Sequence, residues 1–483
     1  MNNAKLIDIL QKLSPKELAK LSLFIGSKFF NRNKKVKKLF KILKHKLINN
    51  QTITLSKNEI SHQVDPKHIY DERRFNNLLS KLLHLVYDFL AYQYYAERSD
   101  WQQQAILEDL FERDAGRHVK GITHKWQLLQ ERQPFRDASH HLATATLQGA
   151  LDRHELNSNN RRYHEHLQLQ NDHLDVYYLI EKLRMACDMT SRNTVIQATY
   201  LCHFLEDIKV WVENHPGYLQ HPAIKIYWLS LRMLEQQEEE DYHALKLALQ
   251  EGHQVFPTYE IKTIYQYALN YSIKKINSGQ SHFYREIFSL YQSMLAQELL
   301  LVSGQLSQWS FKNIITTAIR LKEYQWTKDF IEAFQLRLAP EEQFNAVTYN
   351  LGALYYAQGD YRNALRHLQN VEFTDTSYHL GAKIIQLKSY YELEEEEAFF
   401  SLIEAFRKYL RRNKEISAYR KAANAHFIQL AKELFVLKIK VKMRGKDALK
   451  YWRKLQKAMD ETSPIANKDW LQGILSGFRK EVL

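Results

Sequence analysis

Two cysteines, 14 glycines and 8 prolines are spread over 483 residues. Two thiols in so long a chain exclude a disulfide-built scaffold, and Cys187 and Cys202 are expected to be free thiols in a reducing, cytoplasmic setting. Ordinary usage is roughly 7% glycine and 5% proline, and hairpin-rich sheet proteins need their turn glycines, so the scarcity points to helices. No apolar run reaches the roughly 18 residues that would cross a bilayer, and no membrane association is expected. The opening residues lead into an amphipathic stretch carrying Asp8 and Lys12, unlike the apolar core of a secretory signal. Gly-x-x-x-x-Gly-Lys-Ser/Thr, Gly-x-Gly-x-x-Gly, Gly-x-Ser-x-Gly and His-Glu-x-x-His are all missing. No catalytic residue, cofactor or metal ligand can be nominated, and the expectation is that the chain is not an enzyme.

What is present is apolar material, 45% of the residues, and uneven charge. Residues 1–50 hold thirteen Lys or Arg against Asp8 and Glu17, and residues 404–457 hold seventeen against Glu404, Glu415, Glu433 and Asp447. The formal net charge is +13, so residues 51–403 are acidic on balance, flanked by two basic ends. Such asymmetry suits anionic partners.

Helix signals begin at Ser14-Pro15-Lys16-Glu17: a capping Ser, Pro at the first helical position, and Glu three residues after the cap. A second helix follows with Val36, Leu39, Phe40, Leu43 and Leu47 on one face. Ser56–Glu59 is another capping box, and a long helix is expected from about His68 to Glu97. Residues 1–98 therefore read as a small basic helical domain. The rival is a winged helix, with Thr52-Ile53-Thr54-Leu55 as a strand. Residues 99–220 read as irregular helix pairs broken at Gly116, Asn157–Asn160 and Asn214–Gly217. The acidic runs Glu238–Asp241 and Glu394–Glu397 read as solvated turns and helix ends rather than acidic binding tails.

The segment 347–371 carries Leu351-Gly352, Tyr355, Gly359, Tyr361, Ala364 and Leu368 at the spacing of two helices that cross closely at Gly352 and Ala364. It resembles a tetratricopeptide repeat (TPR). Thr348 and Thr376 stand where that family often has Trp and Pro, so the unit is degenerate. Weaker echoes occur in 226–257, 264–298, 311–334 and 382–409, and the turn tyrosines 242, 284, 324 and 361 lie 42, 40 and 37 apart. Those intervals exceed the family period of about 34. The expected fold is thus all-α: an irregular TPR-like helix-pair solenoid over 221–483, with the small N-terminal helical domain before it. The order of Leu13–Leu18, Ser27–Asn31 and Leu174–Cys187 also resembles a group of helical bacterial proteins of similar length whose activity is not established.

The resemblance implies a non-enzymatic scaffold or adaptor that binds another protein or peptide. It places Tyr349, Asn350, Ala353 and Tyr356 on the ligand surface formed by the first helix of each pair. The alternative is a nucleic-acid-binding or regulatory protein using its basic ends. Lys34, Lys37, Lys38, Lys41 and Lys44 step by three and four along one helix side, extended by Arg32 and Lys35. The second basic stretch, Lys438 to Lys446, reads as helix, with a short strand as the rival. His140-His141, His173 and His164-Glu165-His166 lack metal-site spacing, and His164 and His166 are expected on different faces of a helix.

Overall fold

The computed structural model describes residues 4–48, 57–66, 69–157, 162–196, 199–369, 375–442 and 448–479. The described residues form 23 α-helices, and helix accounts for 82% of the structure. The sheet among them is a single two-residue hairpin, Leu301–Val302 paired antiparallel with Gln305–Leu306. No helix of the described residues is long and apolar enough to cross a membrane. The chain divides into two compact units, Met1–Trp228 with Lys246–Pro257, and Leu229–Leu245 with Thr258–Leu483.

In the first unit, α1 (Ala4–Gln11), α2 (Pro15–Gly26), α3 (Lys34–Ile48), α4 (Lys57–Val64) and α5 (Glu72–Ala96) share one core. Leu6, Leu10, Leu21, Val36, Leu39, Leu43, Leu79 and Leu82 are fully buried in it. The start of α2 is set by its cap. The Glu17 N–H donates to Ser14 Oγ at 3.3 Å, and the Ser14 N–H donates back to the Glu17 carboxylate at 2.8 Å. Loss of such a cap costs about 1 kcal/mol. Ser56 and the Thr52–Leu55 stretch lie outside the described residues.

The unit continues with α6 (Ser99–Glu112), α7 (Val119–Arg132), α8 (Ala138–Asn157), α9 (His166–Ile196) and α10 (Leu205–Asn214). α8 and α9 pack along each other. Gly149 admits the Gln170 amide, which a Cβ there would meet at 2.7 Å. The thiol of Cys187 is buried and donates to the Tyr227 carbonyl at 3.5 Å, Cys202 is half-buried, and neither is in a disulfide. α11 (Pro222–Gln236) and α12 (Glu239–Gly252) each contribute residues to both units.

The second unit holds α13 (Thr258–Asn277), α14 (Phe283–Ala296), α15 (Gln308–Arg320), α16 (Tyr324–Phe334), α17 (Pro340–Ala357), α18 (Tyr361–Gln369), α19 (Thr376–Leu393) and α20 (Glu396–Arg412). α21 (Ala418–Lys442), α22 (Ala448–Glu461) and α23 (Lys468–Gly477) follow. Sequence neighbours pack as pairs: α13 with α14, α15 with α16, α17 with α18, and α19 with α20. The first members also pack on one another, α15 on α17 and α17 on α19. Tyr242, Tyr284, Tyr324 and Tyr361 all lie in the first turn of a second helix, α12, α14, α16 and α18. Gly352 of α17 lies against Leu368 of α18, where a Cβ would come within 2.7 Å of the leucine side chain, and Ala364 is fully buried. α19 to α23 share a core that includes Leu387, Phe399, Phe406, Phe427, Leu434 and Leu471.

Residues 438–442 are the last turn of α21, as the helix reading of this stretch has it, and 443–447 lie outside the described residues. Two local readings differ in detail. Asp241 is not solvated: it is 4% exposed and pairs with Arg232 at 3.1 Å. His164 precedes α9 instead of sharing a helix with His166, and their ring centroids come to 5.4 Å.

Candidate binding faces

α17 presents Tyr349, Ala353 and Tyr356 at i, i+4 and i+7, one stripe of the helix. The stripe turns toward α19. Tyr349 is 8% exposed and meets Tyr378 edge-to-face at 4.9 Å. Its hydroxyl occupies the space left by Gly381, where a Cβ would lie 2.5 Å away. Burial pushes the Tyr349 phenol up to about 12. Asn350 is buried, with its amide donating to the Ala346 carbonyl at 2.8 Å. Ala353 and Tyr356 are half-buried. Of the four residues placed on the ligand surface by motif, two therefore serve the helix packing and two line its edge.

Cations surround this stripe. Lys312 of α15 reaches across α17 to α19, with its Nζ 4.8 Å from the Tyr349 ring centroid and 4.7 Å from that of Tyr378. Both distances are within cation–π range. Burial, with Arg420 nearby, holds the Lys312 ammonium below the usual lysine range, and Asp375 opposes the effect. The Asp375 carboxylate accepts from the Ser377 and Tyr378 N–H groups at the start of α19. No ion pair or hydrogen bond from Lys312 is formed within the described residues. Toward the other end of α19, Lys388 donates to Asn467 Oδ1 at 2.7 Å and lies 5.5 Å from the Trp470 ring and 6.0 Å from Tyr356. Burial, reinforced by Arg320 of α15, lowers Lys388 to about 8, with Asp469 acting the other way.

Sequence reading misses these cations because they stand on helices other than the motif's own. Lys312 is 37 residues before Tyr349, and nothing local distinguishes it from an ordinary surface lysine. The one available signal is the helix-pair spacing of the sequence, which would align α15 and α19 with α17.

The second face is on α3. Arg32, just before the helix, and Lys34, Lys35, Lys37, Lys38 and Lys41 are exposed, and Lys44 is half-buried. They lie opposite Val36, Leu39, Phe40 and Leu43, which are in the core. Lys35 pairs with Asp65. The other five lysines have no carboxylate partner among the described residues, so the face is a stripe of open positive charge.

Sequence-distant histidines also meet in the first unit. His141 Nδ1 is 2.9 Å from His173 Nδ1, and the His141 ring lies 5.3 Å from His140 and 5.7 Å from His221. Burial first, and repulsion by the neighbouring rings and Arg136 second, lowers His141 to about 3. His140 falls to about 4 by burial and the charge of Arg136. Among the described residues no group of three or more His, Cys, Asp or Glu has the arrangement to hold a metal ion.

No protein-family model, curated protein or solved structure matches the chain.

Proposed function

We propose that this protein is a non-enzymatic scaffold or adaptor in the cytoplasm, whose residues 221–483 form a TPR-like repeat array that binds another protein. The observation that carries the reading is the stacking of α15, α17 and α19, which sets a half-buried strip, Ala353 and Tyr356, between Lys312 and Lys388, neither of which forms an ion pair among the described residues. In TPR proteins the first helix of each pair lines the ligand groove, and these three are the first helices here. Aromatic groups beside charged ones supply much of the energy at peptide-binding surfaces.

The test uses two variants on the half-buried strip rather than in the buried core. Tyr356→Ala removes a half-buried ring, and Ala353→Trp fills the strip. Affinity capture from the native cell, compared by mass spectrometry, should lose the same partner with both while the melting temperature stays within a few degrees of wild type. Retention of every partner by both folded variants would remove this face from the account. Tyr349→Ala is a poor probe, because that ring is buried and its loss would cost stability.

A second reading is favoured by the α3 stripe. Five lysines on one helix without carboxylate partners among the described residues suit a phosphate backbone.

A further inference from the structure

We propose that the surface where α3 meets the turn 27–33 holds single-stranded nucleic acid, with phosphates along the α3 lysines and unpaired bases on the exposed rings of Phe29 and Tyr92. The inference rests on the reading of α3 as a phosphate-tracking helix and names the kind of strand it takes.

The first observation is charge. Between Glu17 and Glu59 the chain has no acidic residue, against eleven Lys or Arg. Lys34, Lys37, Lys38 and Lys41 are exposed and form no ion pair among the described residues. The carboxylates on the neighbouring helices are mostly engaged. Glu17 is held by the Ser14 cap, Asp65 takes Lys35, Glu72 takes Lys57, and Glu97 accepts from the Gln93 amide at 3.3 Å. Asp88 of α5, one turn before Tyr92, is exposed. It repels phosphate from the ring side, so the backbone of a bound strand falls on α3 and its bases on the rings.

The second observation is the turn. Phe29 is 87% exposed and Tyr92 is 52% exposed. Phe30 links them: it stacks on the core ring Phe24 at 4.0 Å, meets Phe29 edge-to-face at 5.0 Å and lies 5.8 Å from Tyr92. Hydrogen bonds brace the turn that lifts Phe29 into solvent. The Phe29 N–H donates to Ser27 Oγ at 3.2 Å, the Asn31 amide to the Ile25 carbonyl at 3.0 Å, and the Asn33 N–H to Asn31 Oδ1 at 2.9 Å. Lys37 joins the two features, with its Nζ 3.6 Å from where a Cβ on Gly26 would stand, at the end of α2 from which the turn departs.

Cations that follow a backbone, beside rings that stack bases, are the arrangement of single-strand binders. A duplex keeps its bases paired and leaves Phe29 nothing to stack on. A lipid surface fits less well. The basic amphipathic helix here is α3, and its apolar side, Val36, Leu39, Phe40 and Leu43, is consumed by the core. Only Phe29 and the exposed Leu23 would be left to enter a bilayer.

The experiment is fluorescence anisotropy of the full chain with labelled oligo-dT. A duplex and an abasic strand of the same length, poly-glutamate, and phosphatidylserine vesicles serve as comparisons. Oligo-dT should bind more tightly than the other polyanions. Phe29→Ala should weaken oligo-dT binding roughly tenfold while leaving duplex and abasic affinities, and the slope against salt, unchanged. Phe29→Trp should restore the lost affinity. Phe29 is exposed, so these variants remove no core contact. Lys34→Glu with Lys38→Glu should abolish the binding of every polyanion. Oligo-dT affinity equal to that of the abasic strand, or unmoved by Phe29→Ala, overturns the proposal. If duplex binding then still depends on the lysines, the phosphate reading of α3 stands alone. No binding of any nucleic acid overturns both. Vesicle binding that Phe29→Ala removes, without oligo-dT binding, also overturns the proposal and gives the rings to a lipid surface.

Discussion

Gly352 and Ala364 show what one residue can decide. The second helix of the pair approaches so closely that a Cβ at Gly352 would meet Leu368 at 2.7 Å. Gly352→Leu or Ala364→Trp should therefore overpack the crossing and lower stability by about 1–3 kcal/mol, read as a lower denaturant midpoint. Unchanged midpoints for both would mean the helices part freely there. This contact was legible in the sequence because a motif of small residues reports a steric need directly. The fate of Tyr349 was not legible, since the same motif cannot say whether a tyrosine lies on the groove or beneath a lysine from another helix. His141 was equally hidden, because its neighbours His173 and His221 are 32 and 80 residues away. Its consequence is a pH dependence. His140 and His141 are held at about 4 and about 3 in the fold, against 6.5 when unfolded. Between those values the unfolded chain binds more protons than the folded one, so stability is full above about 6.5 and falls as the pH drops toward 4. Buried Asp137, whose carboxyl is raised by burial, works in the opposite sense nearer the carboxylate range. Denaturant midpoints at pH 7 and pH 5 should differ, and His141→Leu should narrow the difference. An identical difference in the variant would remove the cluster as its source.

At the scale of the element, the ends of helices were the most readable features. The Ser14 cap, the start of α18 at Tyr361 and the end of α10 at Asn214 follow from local hydrogen-bonding and turn chemistry. Less readable was which charges a helix leaves open. α3 shows an exposed cationic side, as its three-and-four spacing implies, but Lys35 is taken by Asp65 from a different helix end. The acidic start of α12 looked solvated, yet Asp241 turns inward to meet Arg232. Ion pairs of this kind depend on packing between elements, which local sequence does not encode. If α3 tracks phosphates, replacing Lys34, Lys37, Lys38 and Lys41 with Glu should abolish binding to a labelled duplex, and wild-type affinity should fall linearly with the logarithm of salt. Affinity indifferent to both changes would assign the nucleic-acid contact elsewhere, and the lack of any binding would leave α3 a solvated face.

For the whole molecule, fold class was readable from composition: few glycines and prolines, and apolar periodicity throughout, correspond to 82% helix. The division into two units was not. Both units draw on α11 and α12, so each is discontinuous in sequence, and composition shows no break inside those helices. The sequence readings of 1–98, 99–220 and 221–483 follow local punctuation, whereas compactness follows the packing of helices remote in the chain. The central claim is that the second unit's stacked first helices are where a partner binds. Hydrogen–deuterium exchange on the full chain, with and without the captured partner, addresses it most directly. Slower exchange should concentrate in α15, α17 and α19, whose outer edges the partner would cover, with α3 and the histidine cluster unchanged. Protection confined to α3, or spread evenly over the described helices with none at Ala353 to Tyr356, would contradict it.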